Sequence, residues 1–307
     1  MECFVLGSGG MMPMPHRRLT SVAIRHEGRV CLLDCGEGTQ VPYKEKHLGL
    51  RNLDLIATTH LHADHVLGLP GMLMLRAQMP DPGPLLLLGT RGLGRFVQHC
   101  RQDLGMHINY QIEVREWSRD ADPVAYENDL VRLTWAPLRH GVPCVGYRFE
   151  EKQRPGRFDP KQATRLKVPK GPLWGRLQAG HSVEIESKTV RPDQVLGPPR
   201  RGRCVAYATD TGVTPNLERV LEGADLALVE SMFAPEEEQD AAAKMHLTVV
   251  QAATAATNAG AARLVLVHIS PRYEDRELRR LAKIAREHHP RAEIARDGRT
   301  YEIALPD

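Results

Sequence analysis

The sequence predicts an α/β fold made of two stacked α/β halves. Three observations carry that prediction. Short apolar, β-branched runs alternate with segments of helical spacing along the 307-residue chain. Several of those runs close on a His or Asp followed by turn residues, which is where α/β folds place their chemistry. No run is long and apolar enough to span a membrane, and the start of the chain has no secretory apolar region. A chain of this size buries a large core, either as one sandwich or as two domains.

Taken in order, residues 2–7, 20–26 and 29–35 read as opening strands, and 53–59 as a strand leading into a histidine-rich segment. Residues 66–78 and 90–104 have helical spacing, with a short strand at 84–89 between them. The stretch 110–149 alternates like several antiparallel strands, with turns at Asp120-Ala121-Asp122-Pro123 and Glu127-Asn128-Asp129. Residues 203–209 and 225–230 read as strands joined by a helix at 215–222. An Ala-rich helix at 247–259, a buried strand at 263–268 and a charged amphipathic helix at 274–289 follow, and 292–304 completes the sheet. There is no obvious internal repeat.

The run His60-Leu61-His62-Ala63-Asp64-His65 places four metal-ligand side chains in six residues, just past the apolar strand Leu53-Asp54-Leu55-Ile56-Ala57-Thr58. His60 and His62, two apart in extended chain, project to the same side, and Asp64 and His65 can turn back toward a second ion. The plain alternative is a solvated histidine-rich loop, but a buried cluster this polar is costly unless something pairs it. Three more candidates stand at the ends of later strands: His140 after Leu130–Trp135, Asp210 after Cys204–Thr209, and His268 after Arg263–Val267. Each alone reads as an ordinary strand-end residue; together, and in this order, they read as the rest of a ligand set.

Net charge is uninformative until it is divided. The total is +3, yet residues 150–203 hold 13 Lys/Arg against 6 Asp/Glu. This basic stretch carries little strand or helix pattern and is punctuated by Pro155, Gly156, Pro160, Pro169, Gly171, Pro172 and Gly175. A solvated insertion is one reading. A basic arm that attracts phosphates over a Debye length of roughly 8 Å is the other, and it suits an RNA recognised by shape and backbone. The six cysteines are scattered with no Cys-x-x-Cys pair, so a reduced, cytoplasmic setting is the simplest reading.

The order His-x-His-x-Asp-His, then His, Asp and His on later strands, resembles the metallo-β-lactamase superfamily, and within it the ribonuclease Z family. The similarity runs nearly end to end. It includes Phe4-Val5-Leu6-Gly7-Ser8-Gly9, Asp34-Cys35-Gly36-Glu37-Gly38-Thr39-Gln40, His140-Gly141-Val142, Pro198-Pro199-Arg200-Arg201-Gly202-Arg203, Thr209-Asp210-Thr211 and Val267-His268-Ile269-Ser270-Pro271-Arg272-Tyr273. The resemblance implies a single domain over 1–307, a four-layer αββα sandwich with a protruding basic arm inserted at about 150–186. It implies His60, His62 and His140 on one ion, Asp64, His65 and His268 on the other, and Asp210 bridging. Two Zn²⁺ per subunit, with Mn²⁺ as a substitute, suit imidazole and carboxylate ligands without thiolate. Asp64 is where the family places the acceptor of the attacking water's proton. His246, in Lys244-Met245-His246-Leu247-Thr248, resembles the family's proton donor, and Glu230 the carboxylate that orients it. Gly171 and Pro172 resemble the Gly-Pro element of a tRNA-holding arm, and Arg200, Arg201 and Arg203 a basic segment that meets substrate. The implied activity is endonucleolytic removal of the 3′ trailer from precursor tRNA, by a homodimer in which one subunit's arm serves the other's active site.

The chain departs from the family pattern where Val229 and Met232 replace a His and a Thr around Glu230, and where Ala208 replaces a Gly before Thr209. Two other functions therefore stay in view. One is a small-substrate hydrolase of the same fold, such as a cyclic-nucleotide phosphodiesterase or arylsulfatase-like enzyme, which would have no use for a basic arm. The other is a non-catalytic RNA-binding protein, for which a complete set of seven ligands would be an unused cluster of charged groups and a burden on stability.

Overall fold

A computed structural model describes residues 1–186 and 188–306. In the first half, β1 (Glu2–Gly7), β2 (Ser21–His26), β3 (Arg29–Leu33), β4 (Leu53–Ala57), β5 (Leu85–Thr90) and β6 (Ile112–Trp117) form one sheet. Between them run α1 (Gln40–Glu45), α2 (Ala63–Val66), α3 (Leu69–Arg76) and α4 (Leu93–Asp103). The second sheet begins with β7 (Val124–Glu127), β8 (Val131–Pro137) and β9 (Val145–Glu151). After an insertion carrying α5 (Pro160–Arg165), α6 (Pro172–Gln178) and the hairpin β10 (Val183–Ile185)–β11 (Lys188–Val190), the sheet resumes with β12 (Cys204–Ala208). Then come α7 (Pro215–Leu221), β13 (Leu226–Glu230), α8 (Glu238–Lys244), α9 (Val249–Asn258), β14 (Leu264–Val267), α10 (Asp275–His288) and β15 (Ala292–Ile294). The last strand, β16 (Thr300–Glu302), returns to the first sheet beside β1.

Strand alternation builds the layers. Cys3 and Val5 of β1 face one way and Phe4 and Leu6 the other, because successive side chains point to opposite faces. The inward set joins Ile24, Leu55 and Leu88 of the first sheet to Leu133, Tyr147, Val205, Leu228 and Val265 of the second. The outward set of the first sheet packs on Tyr43, Met72 and Val97 of its helices. That of the second sheet packs on Leu217, Ala252, Ala256, Leu281 and Ala285. Two seven-stranded sheets back to back, with helices on both outer faces, make the expected αββα sandwich. Along α10 the spacing Leu278, Leu281, Ala282, Ala285 is the apolar stripe that the sequence predicts.

Four expectations are corrected. Strand β6 is not part of an antiparallel run: it pairs parallel with β5, and only β7–β9 are antiparallel to one another. The C-terminal stretch finishes two sheets, β15 beside β14 and β16 beside β1. The predicted helix over 66–78 is broken at Gly68, where a Cβ would lie 2.0 Å from the Gly36 carbonyl oxygen; two backbones touch there, and only glycine permits it. Helices α1 and α8 were not foreseen.

The fourth correction concerns the insertion. It is more ordered and longer than the pattern suggests. Two strand-like segments pair at its base, with reciprocal backbone hydrogen bonds of 2.9 Å between Arg154 and Arg200 and a further bridge between Phe158 and Leu196. Beyond them α5, α6 and the hairpin enclose a small core of Ala163, Val168, Leu177, Val183, Val190 and Val195. Asp159 caps α5 by accepting from the amides of Lys161 and Gln162, and the Trp174 indole donates to the Val168 carbonyl at 3.0 Å. The paired base therefore runs to the second sheet at about residue 203 rather than ending near 186.

At that base, Glu151 is buried between Arg203 and His26: it accepts from Arg203 Nη2 at 2.7 Å and Nε at 2.8 Å, and sits 3.1 Å from His26 Nε2. Burial alone would raise the carboxyl's pKa, but these partners hold it down at about 2. A carboxylate depressed this way stabilises the fold above its unfolded pKa, and that contribution is lost as pH falls toward 2. We expect Glu151→Gln, which strands the buried Arg203 charge, to cost about 3 kcal/mol in denaturant unfolding at pH 7. The gap should narrow as the pH falls from 4.5 toward 2; a constant gap would show that charge plays no part.

Candidate metal centre

The candidate ligands converge where strand ends of both sheets meet. His60 to His65 follow β4 of the first sheet; Asp210 and His268 follow β12 and β14 of the second; His140 lies between β8 and β9. The two sheets are tied at this point by Val145 donating its amide to the Thr59 carbonyl at 3.0 Å. All seven residues come together in two groups, His60–His62–His140–Asp210 and Asp64–His65–His268, with the donor atoms of each within 4.8 Å of one another.

The distances fit cations. His140 Nε2 and His62 Nδ1 stand 3.3 Å apart, as do the Nε2 atoms of His65 and His268. Two imidazole lone pairs facing each other would repel, whereas about 3.3 Å is the edge of a tetrahedron whose arms are the usual ~2.0–2.1 Å zinc–nitrogen bonds. Asp210 divides its oxygens between the groups. Its Oδ1 lies 3.3 Å from His65 Nε2 and 3.2 Å from His268 Nε2, while Oδ2 lies 3.6 Å from His60 Nε2 and 3.8 Å from His140 Nε2. Asp64 Oδ2 is 3.2 Å from His268 Nε2. The Nε2 of His60 is buried with no hydrogen-bond partner among the described residues, a cost that a bound cation removes.

Electrostatics point the same way. Burial, reinforced by His65, pushes the His60 imidazole well below its ordinary pKa. Asp210 would be raised by burial, yet His268 and His65 hold it well below the usual carboxylate range. His65 is also opposed by burial, and Asp210 and Asp34 nonetheless lift it well above the usual imidazole value. The cluster draws positive charge to itself.

Sequence reasoning missed the residues that aim these ligands. Asp34, fully buried at the end of β3, accepts from His65 Nδ1 and the Tyr207 hydroxyl at 2.8 Å each and from the Thr59 amide at 2.7 Å. It fixes the His65 tautomer and leaves Nε2 facing the centre. The Thr59 hydroxyl bridges Asp34 to His60 Nδ1 at 3.0 Å, and the Met245 carbonyl accepts from His140 Nδ1 at 3.3 Å. The sequence signals for Asp34 were its place in the family-like run Asp34–Gln40 and a carboxylate closing the buried run Val30-Cys31-Leu32-Leu33 with no local partner; neither gives it a role. Asp34, Asp210 and His268 all have left-handed backbone, at φ 55°, 57° and 52°. Such strain, of order 1–3 kcal/mol each, marks positions that surrounding structure holds for a purpose. Gly10 sits against the His268 ring, where any Cβ would approach within 2.5 Å.

Glu230 and His246 also meet. His246 Nδ1 is 2.9 Å and 3.1 Å from the two oxygens of the fully buried Glu230, which also accepts from the amides of Thr211 and Leu247. Burial opposes protonation of His246, but the Glu230 carboxylate outweighs it and raises the imidazole's pKa. The ring lies 5.7 Å from that of His268 and 5.1 Å from that of His140, beside both ligand groups. The departures nearby do not undo the pair: Val229 is buried in the helix-facing core, and Met232 packs with Phe233 and Ala241.

The expected substrate-binding residues are not part of this cluster. Gly171 and Pro172 open α6 on the insertion, exposed to solvent. Arg200 donates Nε to the Pro155 carbonyl, and Arg201 pairs with Asp225 across a side chain still half-exposed. Arg203 is buried against Glu151, so it serves the fold and is not available to a phosphate. Exposed cations that the sequence did not single out lie on the same insertion: Lys161 and Arg165 on α5, Lys170 just before Gly171-Pro172, and Arg176 on α6.

Comparison with known proteins agrees with this geometry. The family profile described as "Metallo-beta-lactamase superfamily" matches residues 18–73, and that described as "Beta-lactamase superfamily domain" matches 181–269. A protein named Ribonuclease Z from Treponema denticola is 42% identical over 308 residues, covering 100% of this chain and 99% of its own. One of the same name from Treponema pallidum is 43% identical, covering 99% and 98%. The crystal structure of human tRNase Z, short form, superposes with a TM-score of 0.73 at 24% identity, covering 99% of this chain and 100% of that one. With full-length identity at this level and the fold in agreement, the chain belongs to the ribonuclease Z family of metallo-β-lactamase-fold proteins.

Proposed function

We propose that this protein is a zinc-dependent endoribonuclease that removes the 3′ trailer from precursor tRNA, leaving a 3′-hydroxyl on the tRNA and a 5′-phosphate on the trailer. The observation that carries the reading is the Glu230–His246 pair set beside a complete two-ion donor set, in a chain similar over its whole length to proteins named Ribonuclease Z. A small ester with a good leaving group needs only the ions; an RNA, whose leaving group is a ribose oxygen, needs the acid as well.

Two Zn²⁺ ions, with Mn²⁺ as a substitute, suit this imidazole and carboxylate set; His60, His62 and His140 would hold one, Asp64, His65 and His268 the other, and Asp210 would reach both. Such ions lower the pKa of a water and neutralise charge on the phosphoryl oxygens. The protein's own residues do the rest. Asp64, steadied by the Met11 amide at 2.7 Å, takes the proton of the attacking water. His246, its Nδ1 held by Glu230, presents Nε2 to the departing 3′ oxygen and gives it a proton. Asp34 and Thr59 hold the ligand rings in place so that little reorganisation accompanies the reaction.

The insertion acts as the tRNA-holding arm of a single-domain enzyme, with Gly171, Pro172, Arg200 and Arg201 and the cations Lys161, Arg165, Lys170 and Arg176 meeting phosphates. A homodimer suits the exposed apolar side chains Val41, Leu67 and Met74, which lie on or beside α1–α3. The free state of all six cysteines suits a reducing, cytoplasmic setting, and no helix among the described residues is long and apolar enough to cross a membrane.

The acid is tested by leaving group. We expect His246→Ala to slow cleavage of precursor tRNA by about 10²–10⁴-fold while sparing bis(p-nitrophenyl) phosphate, whose leaving phenolate needs no proton. Equal losses on both would remove His246 from the role of acid. A wild-type protein that hydrolyses the ester and leaves precursor tRNA intact would place the chain with small-substrate hydrolases instead.

A further inference from the structure

A groove with no role in the account above runs between α10 and the segment from Ile294 to Arg299, and is closed at one end by His16 and Arg17. Five arginines line it: Arg17, Arg279, Arg286, Arg296 and Arg299. Among the described residues none of the five makes an ion pair. Arg17 donates to the carbonyls of Ser270 and Tyr273, and Arg286 to that of Ala292. The carboxylates in the groove do not balance them. Glu293 pairs outward with Arg263, and Asp297 is engaged by the amides of Ser8 and Arg18 and the Ser8 hydroxyl. That leaves Asp275, at the first turn of α10, where a helix favours a negative charge.

The groove is joined to the metal centre by the chain that lines it. Ser8 and Arg17 border the groove, and the loop between them carries Gly10, which sits against the His268 ring, and Met11, whose amide donates to Asp64. Arg17 is fixed on carbonyls two and five residues beyond His268. Arg279 and Arg286, seven residues apart on one helix, are two turns apart on the same side, roughly 10 Å along the axis. A row of guanidinium groups that no carboxylate pairs suits a phosphodiester chain.

We propose that this groove holds the backbone of the single-stranded 3′ trailer, downstream of the cut. The identity of the strand rests on the function proposed above. There the phosphoryl group stays with the trailer, so the trailer's first phosphate would be held at the candidate centre and its chain would leave past the loops that border it. The tRNA body, by contrast, is left to the arm.

The test is the triple variant Arg279→Ala/Arg286→Ala/Arg296→Ala, read in two ways on the metal-loaded full-length protein. The first reading is fluorescence anisotropy with a labelled, 5′-phosphorylated single-stranded RNA of about twelve nucleotides over a series of salt concentrations. Loss of three phosphate contacts should weaken binding about tenfold or more and reduce the slope of log Kd against log salt by about 2. The second is the KM for precursor tRNAs with a one-nucleotide or a long trailer: it should rise for the long trailer and stay unchanged for the short one. Partial recovery with Lys at the same positions would identify point-charge contacts. Equal oligonucleotide binding by variant and wild type would overturn the proposal, and so would an equal KM rise for both trailers, which would assign the groove to the tRNA body. Should the wild type cut no precursor at all, the proposed function fails, and the oligonucleotide result alone decides whether the groove takes single-stranded RNA.

Discussion

Asp210→Asn is expected to lower turnover of any phosphodiester by about 10⁴-fold or more, some 5–6 kcal/mol of transition-state stabilisation, and to reduce bound metal from two ions toward one or none. One side chain does this because its two oxygens face different groups, Oδ1 toward His65 and His268 and Oδ2 toward His60 and His140. On the two-ion reading proposed above, removing its charge takes a ligand from both sites at once and disturbs their spacing. Asn is the informative substitution, since Asp210 has φ 57° and Asn tolerates left-handed backbone where Ala adds strain. Metal content by elemental analysis and hydrolysis of bis(p-nitrophenyl) phosphate read the two effects separately. Two ions per chain with near-normal turnover would end the bridging role.

Excising the arm is expected to have the next largest effect, and a selective one. The structure shows where to cut. Deletion of 155–180 would leave Val183, Val190 and Val195 without the helices that cover them. The backbones meet instead at Arg157 and Gly197, where the Gly197 amide donates to the Arg157 carbonyl at 2.9 Å, so residues 158–196 can be replaced by a two-residue Asn-Gly turn. The shortened protein should keep its small-ester hydrolysis and lose precursor tRNA binding by about 10²–10³-fold, as expected when several phosphate contacts go together. The loss should shrink as salt is raised. Equal loss on both substrates would show the arm to be a structural part of the sandwich.

What the sequence revealed and what it hid both have physical reasons. His60, His62, Asp64, His65, His140, Asp210 and His268 were legible because each follows a run of apolar, strand-forming residues, and a polar ligand after such a run stands out locally. Asp34 has the same strand-end position, but its meaning lies in partners 25, 31 and 173 residues away, which no local pattern displays. Strand β6 alternates like its antiparallel successors, and only its pairing with β5 assigns it to the first sheet. The arm was misjudged for a different reason. Its helices are six and seven residues long and its core is six small or branched side chains, too few for a periodic signal. Arg203 read as one more basic residue until burial against Glu151 gave it a structural role.

The central claim is that one two-ion centre and one Glu–His acid cut a precursor tRNA at its acceptor end. It is tested most directly by incubating 5′-labelled precursor tRNA with the protein in Zn²⁺ or Mn²⁺, beside Asp64→Ala, and determining the end groups. The expected result is a single cut at the 3′ end of the acceptor stem, with a 3′-hydroxyl on the tRNA and a 5′-phosphate on the trailer, all lost in Asp64→Ala. Intact precursor alongside undiminished hydrolysis of bis(p-nitrophenyl) phosphate would contradict it.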